Sequence, residues 1–114
     1  MDERIRDIYD AFNAREIDGL LSQMSRHVDW PNAWEGGRVH GRDAVREYWT
    51  RQFAEINPRV EPTRTTERKD GRTEVAVHQT VRSLDGDLIT ETDVLHVYTF
   101  DAHGLVARMD VEPS

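Results

Sequence analysis

Five histidines and no cysteine set the chemistry open to this chain. Without thiols there are no disulfide staples, no thiolate nucleophile and no cysteine-held zinc. An imidazole titrates near pH 6.5, so His78 and His96 are the candidates for general acid/base work at neutral pH. They lie in adjacent β-branched segments separated by Asp85-Gly86-Asp87, which reads as a hairpin turn. A loop with an odd number of residues, Leu84-Asp85-Gly86 or Asp85-Gly86-Asp87, sets even positions opposite even ones, whereas a two-residue Asp-Gly loop would set the histidines on opposite faces; the odd loop is the better supported. Ala76, His78, Thr80, Arg82, Val94, His96, Tyr98 and Phe100 then share one face, while Val75, Val77, Val81, Leu95 and Val97 share the other. On this reading the two histidines share a face with Thr80 and Tyr98, and periodicity alone would send the valine face towards the helices. The alternative for each histidine is a structural hydrogen bond across the sheet.

All three tryptophans fall in one loop and the helix it feeds. Trp30 and Trp34, with Asn32 between them, suit an aromatic pocket wall with one polar contact, and Trp49 extends that wall from an apolar helix stripe. Packing alone, or a local turn bond for Asn32, is the competing account. A metal site is not expected, since the histidines have no i, i+3 or i+4 spacing and no accompanying carboxylate motif. No serine sits in a nucleophile elbow and no glycine-rich loop has phosphate-binding spacing, so neither a triad nor a nucleotide cofactor is indicated.

The elements that must position these residues follow from periodicity. Ile5, Ile8, Tyr9 and Phe12 form one helical stripe, and Ile17, Leu20, Leu21 and Met24 a second, shorter one. His27–Trp30 reads as a strand stopped by Pro31, with residues 32–41 as loop. Val45, Tyr48, Trp49, Gln52, Phe53 and Ile56 mark a third helix, entered at Asp43 and ended by Asn57-Pro58. Residues 60–68, 72–84, 88–100 and 105–112 are β-branched segments joined by three turns, a meander of hairpins. Three helices followed by such a meander make an α+β fold with the helices on one face of the sheet.

This order resembles the nuclear transport factor 2-like superfamily, particularly its SnoaL-like and ketosteroid-isomerase-like branch. The resemblance is carried by "IYDAFNAREIDGLL", "HVDWP", "HGRDAVREYW" and "HVYTFDAHGLVARMDV" and spans nearly the whole chain. It implies a cone-shaped roll, three N-terminal helices packed on a strongly curved, mainly antiparallel sheet, with a pocket at the cone's mouth. It also implies that the His96, Tyr98 and Phe100 side faces inward, which would set His78 and His96, with Thr80 and Tyr98 as binding neighbours, towards one cavity. The isomerase branch's aspartate base would fall at Trp30, its oxyanion-binding acid at His96, and its helix-one tyrosine near Ile8. The epoxide-hydrolase branch finds echoes only at Asn32 and Asp110. With the valine face turned outward, a homodimer built on that face is expected.

Composition bounds the rest. The 114 residues, 37% apolar and 32% charged, form one domain over residues 1–114. A net charge of −7 disfavours nucleic-acid binding. No apolar run reaches the roughly 20 residues of a membrane span, and the charged start is unlike a secretory signal, so a cytoplasmic protein is expected. Two functions fit a small, apolar or aromatic ligand. One is a cofactor-independent isomerase, cyclase or hydrolase that uses histidine acid–base chemistry; the other is a non-catalytic ligand-binding or dimerisation module.

Overall fold

The computed structural model describes residues 2–33 and 35–114. Helix α1 (Glu3–Asn13) starts at Asp2, whose carboxylate accepts the Arg4 N–H at 2.8 Å. It is followed by α2 (Ile17–Ser22), β1 (Met24–Pro31), β2 (Arg38–His40), α3 (Arg42–Glu55), β3 (Ile56–Glu67), β4 (Thr73–Ser83), β5 (Leu88–Phe100) and β6 (Val106–Pro113). Four boundaries differ from the sequence reading. Met24 opens β1 rather than closing α2, and β1 extends through Pro31. The loop before α3 contains the short β2, which pairs back on Asp29–Pro31. Ile56 leaves the helix stripe and begins β3, which then runs through Pro58.

The sheet order is β2-β1-β6-β5-β4-β3, with β1 and β6 parallel and the other pairs antiparallel. It is curved and unclosed, and the helices fill its concave side to make the expected α+β cone. Strand β3 lies at an edge, where Pro58 and Pro62 cost few ladder bonds. The α1 residue Asn13 pairs with that edge: its Nδ2 donates to the Val60 carbonyl at 2.8 Å and its Oδ1 accepts the Val60 N–H at 3.0 Å. Entry to α3 passes through Gly41 at φ 85°, ψ 157°, a conformation closed to other residues, and the Gly41 N–H donates to the Val28 carbonyl.

Each hairpin of the meander turns through a three-residue loop ending in glycine, closed between Arg68 and Arg72, Ser83 and Asp87, and Asp101 and Leu105. The odd loop expected at Leu84-Asp85-Gly86 is therefore present. Beyond every one of these loops, however, the ladder slips by one residue. Arg82 faces Leu88 but Val81 faces Thr90, leaving Ile89 unmatched. Thr63 and Ala107 are left out of the neighbouring ladders in the same way. Such bulges bend and twist the strands, which is how this sheet curves around its helices.

The Ile89 bulge overturns the face assignment. Past it, Val75 stands opposite His96, Val77 opposite Val94 and His78 opposite Asp93. His96 and Tyr98 thus face inward, as the resemblance implied, but together with Val75 and Val77, which are buried in the core. His78 and Thr80 lie on the outer face with Leu95 and Val97. That face is not a valine surface awaiting a partner. Val97 is fully buried, and Glu74, opposite it in the ladder, is bridged by Arg68 at 2.9 Å, which also reaches Glu112 at 2.8 Å. Arg38 and Arg108 join Asp29 and Asp110 beside it. The valine argument for a homodimer accordingly has no basis in the sheet.

Candidate functional site

Inside the cone is a cavity of about 630 Å³, open mouth included. Helix α1 supplies Ile8, Tyr9 and Phe12 from the predicted stripe, and α3 supplies Tyr48, Trp49 and Gln52, one turn apart and therefore on one side. Trp30 and Pro31 come from the end of β1, Val60 and Gln79 from the β3–β4 pair, and His96, Tyr98, Met109 and Val111 from facing positions of β5 and β6. Its mostly apolar wall with a few convergent polar groups has the character of a small-molecule site.

The polar atoms of this wall form a connected chain. The Tyr98 O–H donates to the Tyr9 oxygen at 3.0 Å, and the Tyr9 hydroxyl is 2.7 Å from His96 Nδ1. Only one proton order satisfies both buried hydroxyl donors: Tyr98 gives to Tyr9, and Tyr9 gives to Nδ1. His96 is therefore the Nε2–H tautomer, with that N–H left for the cavity. The imidazole stacks on Tyr9 with ring centroids 5.8 Å apart. Burial disfavours its charged form and lowers its pKa to about 4, so it is neutral at pH 7. Burial likewise raises the pKa values of Tyr9 and Tyr98, so both stay protonated. A third hydroxyl, that of Tyr48, accepts the Ala33 N–H at 3.0 Å and the Gln52 side-chain N–H at 3.4 Å, tying the pocket-side loop to α3.

Tyr9→Phe would leave the Tyr98 hydroxyl without an acceptor and Nδ1 without a donor. The expected cost is about 1–3 kcal/mol. The variant should also release the tautomer, seen as mixed protonation of the His96 ring nitrogens in ¹⁵N NMR. An unchanged unfolding free energy with an unchanged nitrogen pattern would show that the chain of hydroxyls does not hold the imidazole.

Of the residues expected to form the site, the structure brings together His96, Tyr98, Trp30 and Trp49. The two indoles meet edge to face with centroids 5.2 Å apart. His78 is not among them. It lies on the outer face, 41% exposed, with Nδ1 2.7 Å from Asp93 and Nε2 3.2 Å from Glu91. Those two carboxylates, Asp93 first, raise its pKa. Thr80 shares that outer face, with its hydroxyl 3.5 Å from Glu91. Asn32 serves the loop, its Oδ1 accepting the Glu35 N–H at 3.0 Å. Trp34 lies outside the described residues. Sequence reasoning missed Gln52 and Gln79 as polar lining and the bond between Tyr9 and His96. The place of Tyr9 on the α1 stripe was the available signal for that bond.

Comparison with known proteins finds that the SnoaL-like domain family model matches residues 5–109. Among solved structures, the chain is similar to TerC co-crystallized with polyporic acid, at 28% identity over 98% of this chain and 89% of that one, TM-score 0.81. It is also similar to a putative polyketide cyclase from Sinorhizobium meliloti, at 18% identity over 98% and 95% of the two chains, TM-score 0.81. A Mycobacterium tuberculosis protein in complex with estradiol-17beta-hemisuccinate is 16% identical over 95% and 88%, again with TM-score 0.81. The last two share the fold alone. A search of curated proteins finds no match.

Proposed function

The chain belongs to the SnoaL-like domain family, and we propose that its cavity binds a small, largely apolar molecule through a carbonyl or hydroxyl oxygen that accepts the His96 Nε2–H. The Tyr98–Tyr9–His96 chain carries this reading: it commits Nδ1 to Tyr9 and leaves the imidazole one donor to offer. Among the described lining residues there is no Asp, Glu, Lys or Arg. With a pKa near 4, His96 is a weak proton acceptor. The role it suits is that of a neutral hydrogen-bond donor, which polarises a carbonyl or holds an enol oxygen. Trp30, Trp49 and Phe12 would flank the apolar body of such a ligand. TerC, crystallized with polyporic acid, and the complex with estradiol-17beta-hemisuccinate supply ligands for a first trial.

Isothermal titration with polyporic acid and a panel of aromatic ketones and phenols tests the reading. At least one should bind saturably with Kd below about 100 µM, and His96→Leu should weaken it at least about ten-fold. Failure of the whole panel, or equal affinity in the variant, overturns it. Conversion of a bound ligand by the wild type, lost in His96→Leu at saturating ligand, would make the site catalytic. Conversion unchanged in the variant would leave His96 no part in the chemistry. For a pairing of two copies, the exposed large apolar residues on offer are Leu84, Leu88 and Ile89 on the β4–β5 hairpin and Val111 on β6.

A further inference from the structure

A second concavity lies outside the cone, where the α1–α2 joint meets the edge strand. Asn13, Arg15, Asn57, Pro58, Arg59, Thr80, Arg82 and Glu91 enclose about 760 Å³ there, open side included. In a chain of net charge −7 this groove gathers three guanidinium groups against one carboxylate. That carboxylate is already engaged, since Glu91 lies 3.2 Å from His78 Nε2. Arg59 pairs with Glu61 at 2.6 Å, whereas Arg15 and Arg82 make no ion pair among the described residues. Arg82 donates to the Gly86 carbonyl at 3.1 Å.

Arg15 is held in place without being neutralised. Its backbone takes φ 61°, in the left-handed region, to make the turn between the helices. Its guanidinium packs over Phe53 at 4.6 Å and Phe12 at 5.7 Å, and its N–H groups reach the Phe12 carbonyl and the Asn57 side chain. Burial, and then the charge of Arg59, disfavour its charged form. A preorganised cation under repulsion from a like neighbour is what a bound anion would relieve.

We infer that this groove is a binding site for a phosphate group, free or as a monoester, held by Arg15, Arg59 and Arg82. Three guanidinium groups present more N–H donors than the two oxygens of a carboxylate can accept, and they match the charge and oxygens of a phosphate. The groove shares Pro58 with the cone's cavity, but none of its three arginines lines that cavity, and the assignment does not depend on the ligand proposed there.

Titration calorimetry with inorganic phosphate and with phenyl phosphate, in chloride buffer of matched ionic strength, tests the assignment. Both should bind with Kd below about 1 mM, with acetate at least about ten-fold weaker. Arg82→Gln, which removes one surface hydrogen bond, should weaken phosphate at least about ten-fold, and Arg15→Gln likewise if circular dichroism shows it folded. Glu91→Gln should tighten binding. His96→Leu should leave it unchanged, so the outcome is separable from that of the cavity experiment. No saturable heat up to about 10 mM phosphate, acetate binding as tightly, or wild-type affinity in Arg82→Gln would overturn the assignment.

Discussion

Acidification from pH 7 to pH 4 is expected to remove about 3 kcal/mol of folding stability through His96 alone. Burial puts the folded-state pKa at about 4, against 6.5 for an exposed imidazole. Between those values the unfolded chain takes up the proton and the folded chain refuses it, so each step down in pH favours unfolding. Above about pH 6.5 the imidazole is neutral in both states and its contribution is constant. His78 acts in the opposite sense. Its raised pKa gives stability that is present below its ordinary value and lost as pH rises through the raised one. Because its ion pairs are exposed, that counter-effect is screened and small. Asp2, Asp70, Asp110 and Glu112, with lowered pKa values, lose their contributions as pH falls through the carboxylate range, adding to the loss at the acid end. Urea denaturation of the wild type and His96→Gln across this range isolates the imidazole. The gap in stability between them should narrow as pH falls from 6.5 to 4. A constant gap would mean that His96 titrates normally.

Trp49→Ala should cost about 3–5 kcal/mol and lower Tm by about 10–20 °C. The indole is 1% exposed, lies on the buried stripe of α3 with Val45, Tyr48 and Gln52, and packs edge to face on Trp30. Its loss removes the apolar area it buries and an aromatic pair, and it leaves a hole beside an existing cavity that little can collapse to fill. Trp49→Phe should recover much of the loss. Thermal unfolding by circular dichroism checks both variants, and a fall of less than about 4 °C for Trp49→Ala would show that the pocket wall is not part of the stabilising core. The effect bears on function too, because a widened cavity should accept bulkier ligands while holding small ones less well.

Both predictions rest on residues whose inward placement was legible before the fold was seen. Ile5, Ile8, Tyr9 and Phe12 recur at helical spacing, as do Val45, Tyr48, Trp49 and Gln52, and both stripes face the core or cavity. Gly71, Gly86 and Gly104 mark the three turns of the meander, each with positive φ. Strand faces were another matter. The period of two carries a face assignment only while the ladder keeps step, and one unmatched residue at Ile89 inverts every residue beyond it. His78 and His96 were therefore placed together by a correct loop and separated by the bulge that follows it. The inward orientation of His96 came from the resemblance, whose motif extends past the bulge and so carries the phase with it.

By itself the sequence determined the kinds and order of elements, the buried stripes of the helices, the turns, and the absence of thiol chemistry. These depend on spacing within a few residues, which local geometry converts directly into structure. Only the tertiary structure decided which histidine meets the cavity, which residues cover the outer face of the sheet, and which tautomer His96 adopts. The bulges depend on how the strands bend over the helices. The tautomer depends on Tyr9 and Tyr98, brought to His96 from a helix and from its own strand once the cone is formed.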